Sequence, residues 1–129
     1  MSRRGRQIPV YAAMRHLGRS GIAALVERNC AQAARLARAM EGVDGAEVLN
    51  DVVLNQVLLR FDGDDERTAR VIEELQRSGE AWLGGTTWHG VHAARVSFSN
   101  WSTGDEDVDR LATALEEALS AARAGSPVR

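Results

Sequence analysis

The chain has 129 residues, 44% of them hydrophobic and 26% charged, which is the composition of one soluble domain with a single core and excludes a long disordered tract. A net charge of −2 gives no global field for nucleic acid or an anionic membrane, and no long apolar run marks a signal peptide or a membrane span, so a cytoplasmic protein is expected. All 16 basic residues are arginine and none is lysine, which removes every reaction that needs a Schiff base on this chain, because a guanidinium stays protonated and is a poor nucleophile.

Pro9 suits the first residue of a short helix, and Gly18 ends it. From an N-cap at Ser20, Ile22, Leu25, Val26, Ala33, Leu36, Ala37 and Met40 follow the spacing of one helical face as far as Glu41, with Gly42 as the stop. Cys30 lies within this helix as a buried thiol; a lone cysteine allows neither an internal disulfide nor a multi-cysteine zinc site.

The period then changes to that of strands at Ala46–Asn50 and Gln56–Phe61, the second with Val57, Leu59 and Phe61 on one side. Asp62-Gly63-Asp64-Asp65 is a turn with an aspartate available to cap the helix that runs through Val71, Ile72 and Leu75 to Gly79. Two further strands are predicted at Ala81–Trp88 and His92–Asn100, joined across His89-Gly90-Val91, with Arg95 on the face away from Phe98. Thr103 and Glu106 have capping-box spacing for a last helix carrying Val108, Leu111, Leu115 and Ala118 or Leu119, followed by a tail over residues 125–129. The expected fold class is therefore α+β, one domain over residues 1–124 with an antiparallel sheet of about four strands covered by helices mainly on one face.

Few residue groups point to chemistry. Gly84, Gly85 and Thr86 have the composition of a phosphate cradle, but they lie in a strand pattern, where paired glycines also mark a bulge or a close backbone approach. His16, His89 and His92 lack the spacing of a metal site, and no metal is expected. The acidic runs at Asp64-Asp65-Glu66 and Asp105-Glu106-Asp107 fall at predicted helix starts, where the helix dipole accounts for them. Arg3, Arg4 and Arg6 suit either an acidic partner or a solvated arm. Arg95, among small neighbours, can either grip a carboxylate bidentately or close an ion pair.

Three stretches together carry a family resemblance. Ser2-Arg3-Arg4-Gly5-Arg6-Gln7-Ile8-Pro9-Val10-Tyr11 with Leu17-Gly18-Arg19-Ser20-Gly21, then Val48 through Val57, and finally Gly84-Gly85-Thr86-Thr87-Trp88 with Arg95-Val96-Ser97-Phe98-Ser99-Asn100-Trp101 and Asp107-Val108, resemble the C-terminal small domain of the group II pyridoxal-phosphate-dependent amino-acid decarboxylases. The resemblance implies the small-domain fold of the aspartate-aminotransferase superfamily and a carboxy-lyase that releases CO2 from an amino acid. It further implies pyridoxal phosphate as cofactor, a lysine-bearing large domain as partner and a second subunit at the active site. It assigns no catalytic residue to this chain, and by likeness to the glutamate branch it gives Arg95 the substrate carboxylate. On this reading the chain is a fragment of such an enzyme and inactive alone, with Ile8, Val10, Tyr11 and Met14 exposed where a partner is missing. The rival expectation is a freestanding α/β module that binds a ligand or dimerises through its sheet.

Overall fold

The computed structural model describes residue 5 and residues 7–125. The Arg3, Arg4 and Arg6 cluster and the tail beyond Gly125 lie outside the described residues. Helix α1 (Gln7–Glu41) is followed by β1 (Ala46–Val48), β2 (Gln56–Phe61), α2 (Asp65–Ser78), β3 (Gly84–Trp88), β4 (Val91–Ser97) and α3 (Asp105–Ala124). The strands form one antiparallel sheet in the order β1-β2-β4-β3. This is the α+β architecture expected from the sequence.

Glycine at the expected position interrupts α1: Gly18 has φ 63° and ψ −175°, an extended left-sided conformation that residues with a side chain avoid. The helix resumes directly after it, so Ser20 lies inside the helix and does not cap it. Beyond the break the helix buries Asn29, Gln32, Ala33, Leu36, Ala37 and Met40. Val26, expected on that face, is exposed, and Cys30, expected to be buried, is half-buried, because the sheet supports only the C-terminal half of α1.

Helix α2 begins where expected. The Asp64 side chain accepts a hydrogen bond of 2.6 Å from the Arg67 amide, and Gly79 ends the helix with φ 78°. Helix α3 starts one residue later than the Thr103 and Glu106 pattern predicts: the Gly104 amide donates to Asp107 Oδ2 at 2.8 Å. The reason is tertiary, since the Thr103 carbonyl is taken by the buried Gln32 amide at 2.5 Å.

Val57, Leu59 and Phe61 of β2 and Ala94 and Val96 of β4 face Leu36, Met40, Val71, Leu75, Leu115 and Leu119 in a single core. Helices α1 and α2 lie on this face of the sheet, and α3 packs against both. The opposite face carries Leu58, Ala93 and Arg95, the register setting Leu58 directly across from Arg95. Hairpin β3–β4 closes through His89 and Gly90, both with positive φ (47° and 85°), as a two-residue loop compatible with strand twist requires.

A charged knot ties α3 to the sheet. Arg123 and Arg67 both bind Asp62, Arg67 at 3.2 Å, and Arg123 also donates to the Asp44 carbonyl at 3.1 Å. Gly45, at φ 83°, passes so close that a Cβ there would overlap both Arg123 and Asp62. Gly45→Ala is expected to cost about 1–3 kcal/mol, from left-handed strain plus displacement of the knot. Chemical denaturation checks this; an unchanged midpoint would mean that the knot contributes nothing.

The Asp62 carboxyl is held below the usual aspartate range, chiefly by the Arg123 hydrogen bond, with the charges of Arg123 and Arg67 adding to it and partial burial opposing it. The unfolded chain takes up its proton near the ordinary aspartate value of about 4, whereas the folded chain resists protonation until lower pH. Stability from this contact is therefore complete above that value and is lost as pH falls through the folded pKa. Asp62→Asn is expected to lower the melting temperature at neutral pH and to flatten the acid limb of stability against pH. Parallel acid limbs for the two proteins would contradict the assignment.

Candidate functional site

A cleft of about 670 Å³ wraps the C-terminal end of β4, between the segment that leads into β3 and the first turns of α3. Its walls are set by hydrogen bonds from outside the sheet ladder. Asn55 closes the end of β4: its carbonyl accepts from the Phe98 amide at 2.9 Å, and its side-chain amide donates to the Phe98 carbonyl at 2.7 Å. These bonds end the strand at Ser97, three residues before the expected Asn100, because the Phe98 main chain is already satisfied. Gln76 of α2 holds the Leu83 carbonyl at 2.7 Å and so fixes the approach to β3. Residues 81–83, expected to extend that strand, instead form a linker that is one wall of the cleft. On the far side, α1 anchors both the segment before α3 and α3 itself: Arg28 donates to the Trp101 carbonyl at 2.9 Å, and Arg35 grips Asp109 of α3 with two hydrogen bonds of 2.7 Å. The Asp109 carboxyl is lowered by that hydrogen bond and by the Arg35 charge.

Trp82, Leu83, Val96, Phe98 and Leu111 are among the residues that line the cleft, with Leu83, Val96 and Phe98 otherwise buried in the core. Four charged residues join them: Glu80, Arg95, Asp107 and Arg110. Two of these neutralise each other, since Arg110 binds Asp107, whose carboxyl is lowered first by the Gly104 amide and then by Arg110. The other two do not. Among the described residues, neither the Arg95 guanidinium nor the Glu80 carboxylate forms an ion pair or a side-chain hydrogen bond. An exposed, unpaired guanidinium on a residue that lines a cleft suits a planar carboxylate, which it can bind through two parallel N–H donors.

Arg95 and Gly84 are paired across the β3–β4 ladder and both line the cleft. Gly85 and Thr86 continue along β3, away from it. The absence of a side chain at Gly85 has a local use: a Cβ would lie 2.7 Å from Cε1 of His92, whose ring folds over this position. Among the described residues no group of three or more histidine, cysteine, aspartate or glutamate side chains is placed to hold a metal ion. No helix among them is long and apolar enough to cross a membrane. Sequence reasoning missed Glu80 and Trp82. No signal in the sequence marked them: Glu80 follows the Gly79 cap and Trp82 sits in a stretch whose hydrophobic content reads as strand, and the 82% exposure of Trp82 is visible only in the fold.

No protein-family model matches the sequence, and no curated protein matches it. Solved structures do share its fold. The 4-hydroxyphenylacetaldehyde synthase of Rhodiola rosea is 22% identical with a TM-score of 0.82, over 93% of this chain and 27% of that one. Tryptophan decarboxylase of Catharanthus roseus, in complex with L-tryptophan, is 15% identical with a TM-score of 0.81, over 91% of this chain and 26% of that one. The glutamate decarboxylase domain of diaminobutyrate-pyruvate transaminase and L-2,4-diaminobutyrate decarboxylase from Vibrio parahaemolyticus is 22% identical with a TM-score of 0.74, over 87% of this chain and 25% of that one. The chain thus spans about a quarter of the length of the solved proteins that it matches. It shares the fold of the matched quarter of these solved structures, the α+β fold that the sequence led one to expect.

Proposed function

We propose that the chain is the C-terminal small domain of a pyridoxal-phosphate-dependent amino-acid decarboxylase, forming one wall of an active site whose cofactor is held by a lysine-bearing large domain. The observation that carries this reading is the unpaired Arg95 in a cleft of a domain with this fold, where it would take the substrate carboxylate. The chain's own residues supply no lysine for a covalently held cofactor, and Gly84, Gly85 and Thr86 run in a strand paired to β4. No chemical step is therefore assigned to this chain by itself.

Exposed apolar surface supports a missing partner. Ile8 is 73% exposed and Tyr11 65% exposed, with Val10 and Met14 beside them on the same overhanging half of α1. Such a strip seeks cover from a large domain, from a second subunit, or from another copy of the chain. The isolated chain is expected to bind a hydrophobic dye and to self-associate as its concentration rises, measured by fluorescence and sedimentation. A monomer that stays dye-free at high concentration would remove the missing-partner reading and leave the freestanding module.

The proposal is tested by mixing the chain with pyridoxal phosphate and recording absorbance, alone and with the large domain of such a decarboxylase. The band of a lysine-bound cofactor is expected only in the second mixture. Its appearance with the chain alone would overturn the division of labour.

A further inference from the structure

The two unpaired charges of the cleft have opposite sign and stand at different places on its wall. Arg95 projects from β4, across the ladder from Gly84. Glu80 precedes Gly84 by four residues, a stretch that reaches at most about 14 Å when fully extended. The two groups form no ion pair with each other, so they present two separate charges to whatever enters. Between Glu80 and the strand stands Trp82, whose indole is 82% exposed and lines the same cleft. An acid and an aromatic face two residues apart form a pairing that attracts an ammonium group, the acid by charge and the indole by its quadrupole.

We infer that the cleft selects an amino-carboxylate with separated charges, its carboxylate on Arg95 and a remote cationic group on Glu80 and Trp82. This rests on the proposed role of Arg95 and adds a specificity determinant to it. The ligand class is a basic or ω-amino acid. With the carboxylate on Arg95 the adjoining α-amino group stays beside Arg95, so the cation read by Glu80 is the one at the far end of the side chain. An acidic substrate would instead set a second carboxylate against Glu80, a like-charge contact that works against binding.

The full chain can be titrated by two-dimensional NMR with three probes of equal length: δ-aminovalerate, valerate and n-pentylamine. δ-Aminovalerate is expected to bind roughly threefold to fivefold more tightly than valerate, the increment of one solvent-exposed ion pair. Its signals should move at the Trp82 indole and the Arg95 guanidinium together. Glu80→Gln should abolish the preference for δ-aminovalerate while leaving valerate binding intact, and Arg95→Ala should abolish binding of both carboxylates. Equal affinities for valerate and δ-aminovalerate, or a preference that survives in Glu80→Gln, would overturn the inference and leave Arg95 as the carboxylate site. Carboxylates that bind Arg95→Ala as they bind the unaltered chain would instead remove the role of Arg95 itself.

Discussion

If Arg95 takes the substrate carboxylate as proposed, Arg95→Ala is expected to lower kcat/KM of an enzyme assembled from this chain and the large domain of such a decarboxylase on the order of a hundredfold. The same substitution should leave the melting temperature of the isolated domain unchanged. Arg95 is exposed and unpaired, and the strand beneath it is held by Val96 and by the ladder to Leu58. That split between activity and stability separates substrate contact from a structural ion pair, whose loss would lower both. Arg95→Lys sharpens the test: it keeps the charge but not the two parallel donors, so partial activity is expected. Steady-state kinetics with melting curves on the same preparations give the answer, and unchanged kinetics in a correctly folded assembly would remove Arg95 from the site.

Phe61→Ala should have the largest effect on the fold. Phe61 is 0% exposed, at the end of β2 where strand, α2 and the Asp62 turn meet, and its amide donates to the Thr68 hydroxyl at 3.0 Å. Truncating a fully buried phenylalanine costs about 3–5 kcal/mol from lost transfer free energy and the cavity left behind. Set against a whole-domain stability of about 5–15 kcal/mol, that is enough to unfold a substantial part of the population if the domain is at the low end of the range. Urea unfolding should show a midpoint far below that of the unaltered chain, with Phe61→Leu between them because it fills more of the cavity. A Phe61→Ala midpoint within experimental error of the original would place Phe61 outside the core and contradict the sheet register.

Most elements were legible because local chemistry and tertiary structure agree there. Gly18 breaks α1 where the sequence marks it, Asp64 and Gly79 bound α2 as their residue types demand, and the alternation in β4 correctly turns Arg95 away from Val96. The misplaced boundaries share another cause: side chains from outside the element take over main-chain groups, at a separation of 8 residues for Asn50 and of 43 and 71 for Asn55 and Gln32. Asn50 accepts the Leu58 amide at 2.8 Å and so ends β1 at Val48, Asn55 ends β4 at Ser97, and Gln32 moves the start of α3 past Thr103. No local pattern encodes those partners. The site follows the same rule. Arg95 could be found from its strand, but the cleft depends on Gln76 and Arg28 drawing two loops toward that strand, which is why Glu80 and Trp82 emerge only in three dimensions.

On the proposed reading this fold supplies the substrate-side wall of a decarboxylase site completed by another domain. The most direct test of that reading is CO2 release from a panel of amino acids in the presence of pyridoxal phosphate, by the chain alone, by the large domain alone and by the two together. Release above background only in the combined sample is predicted. Release by the chain alone, or none from a complex shown by sedimentation to have formed, would contradict it.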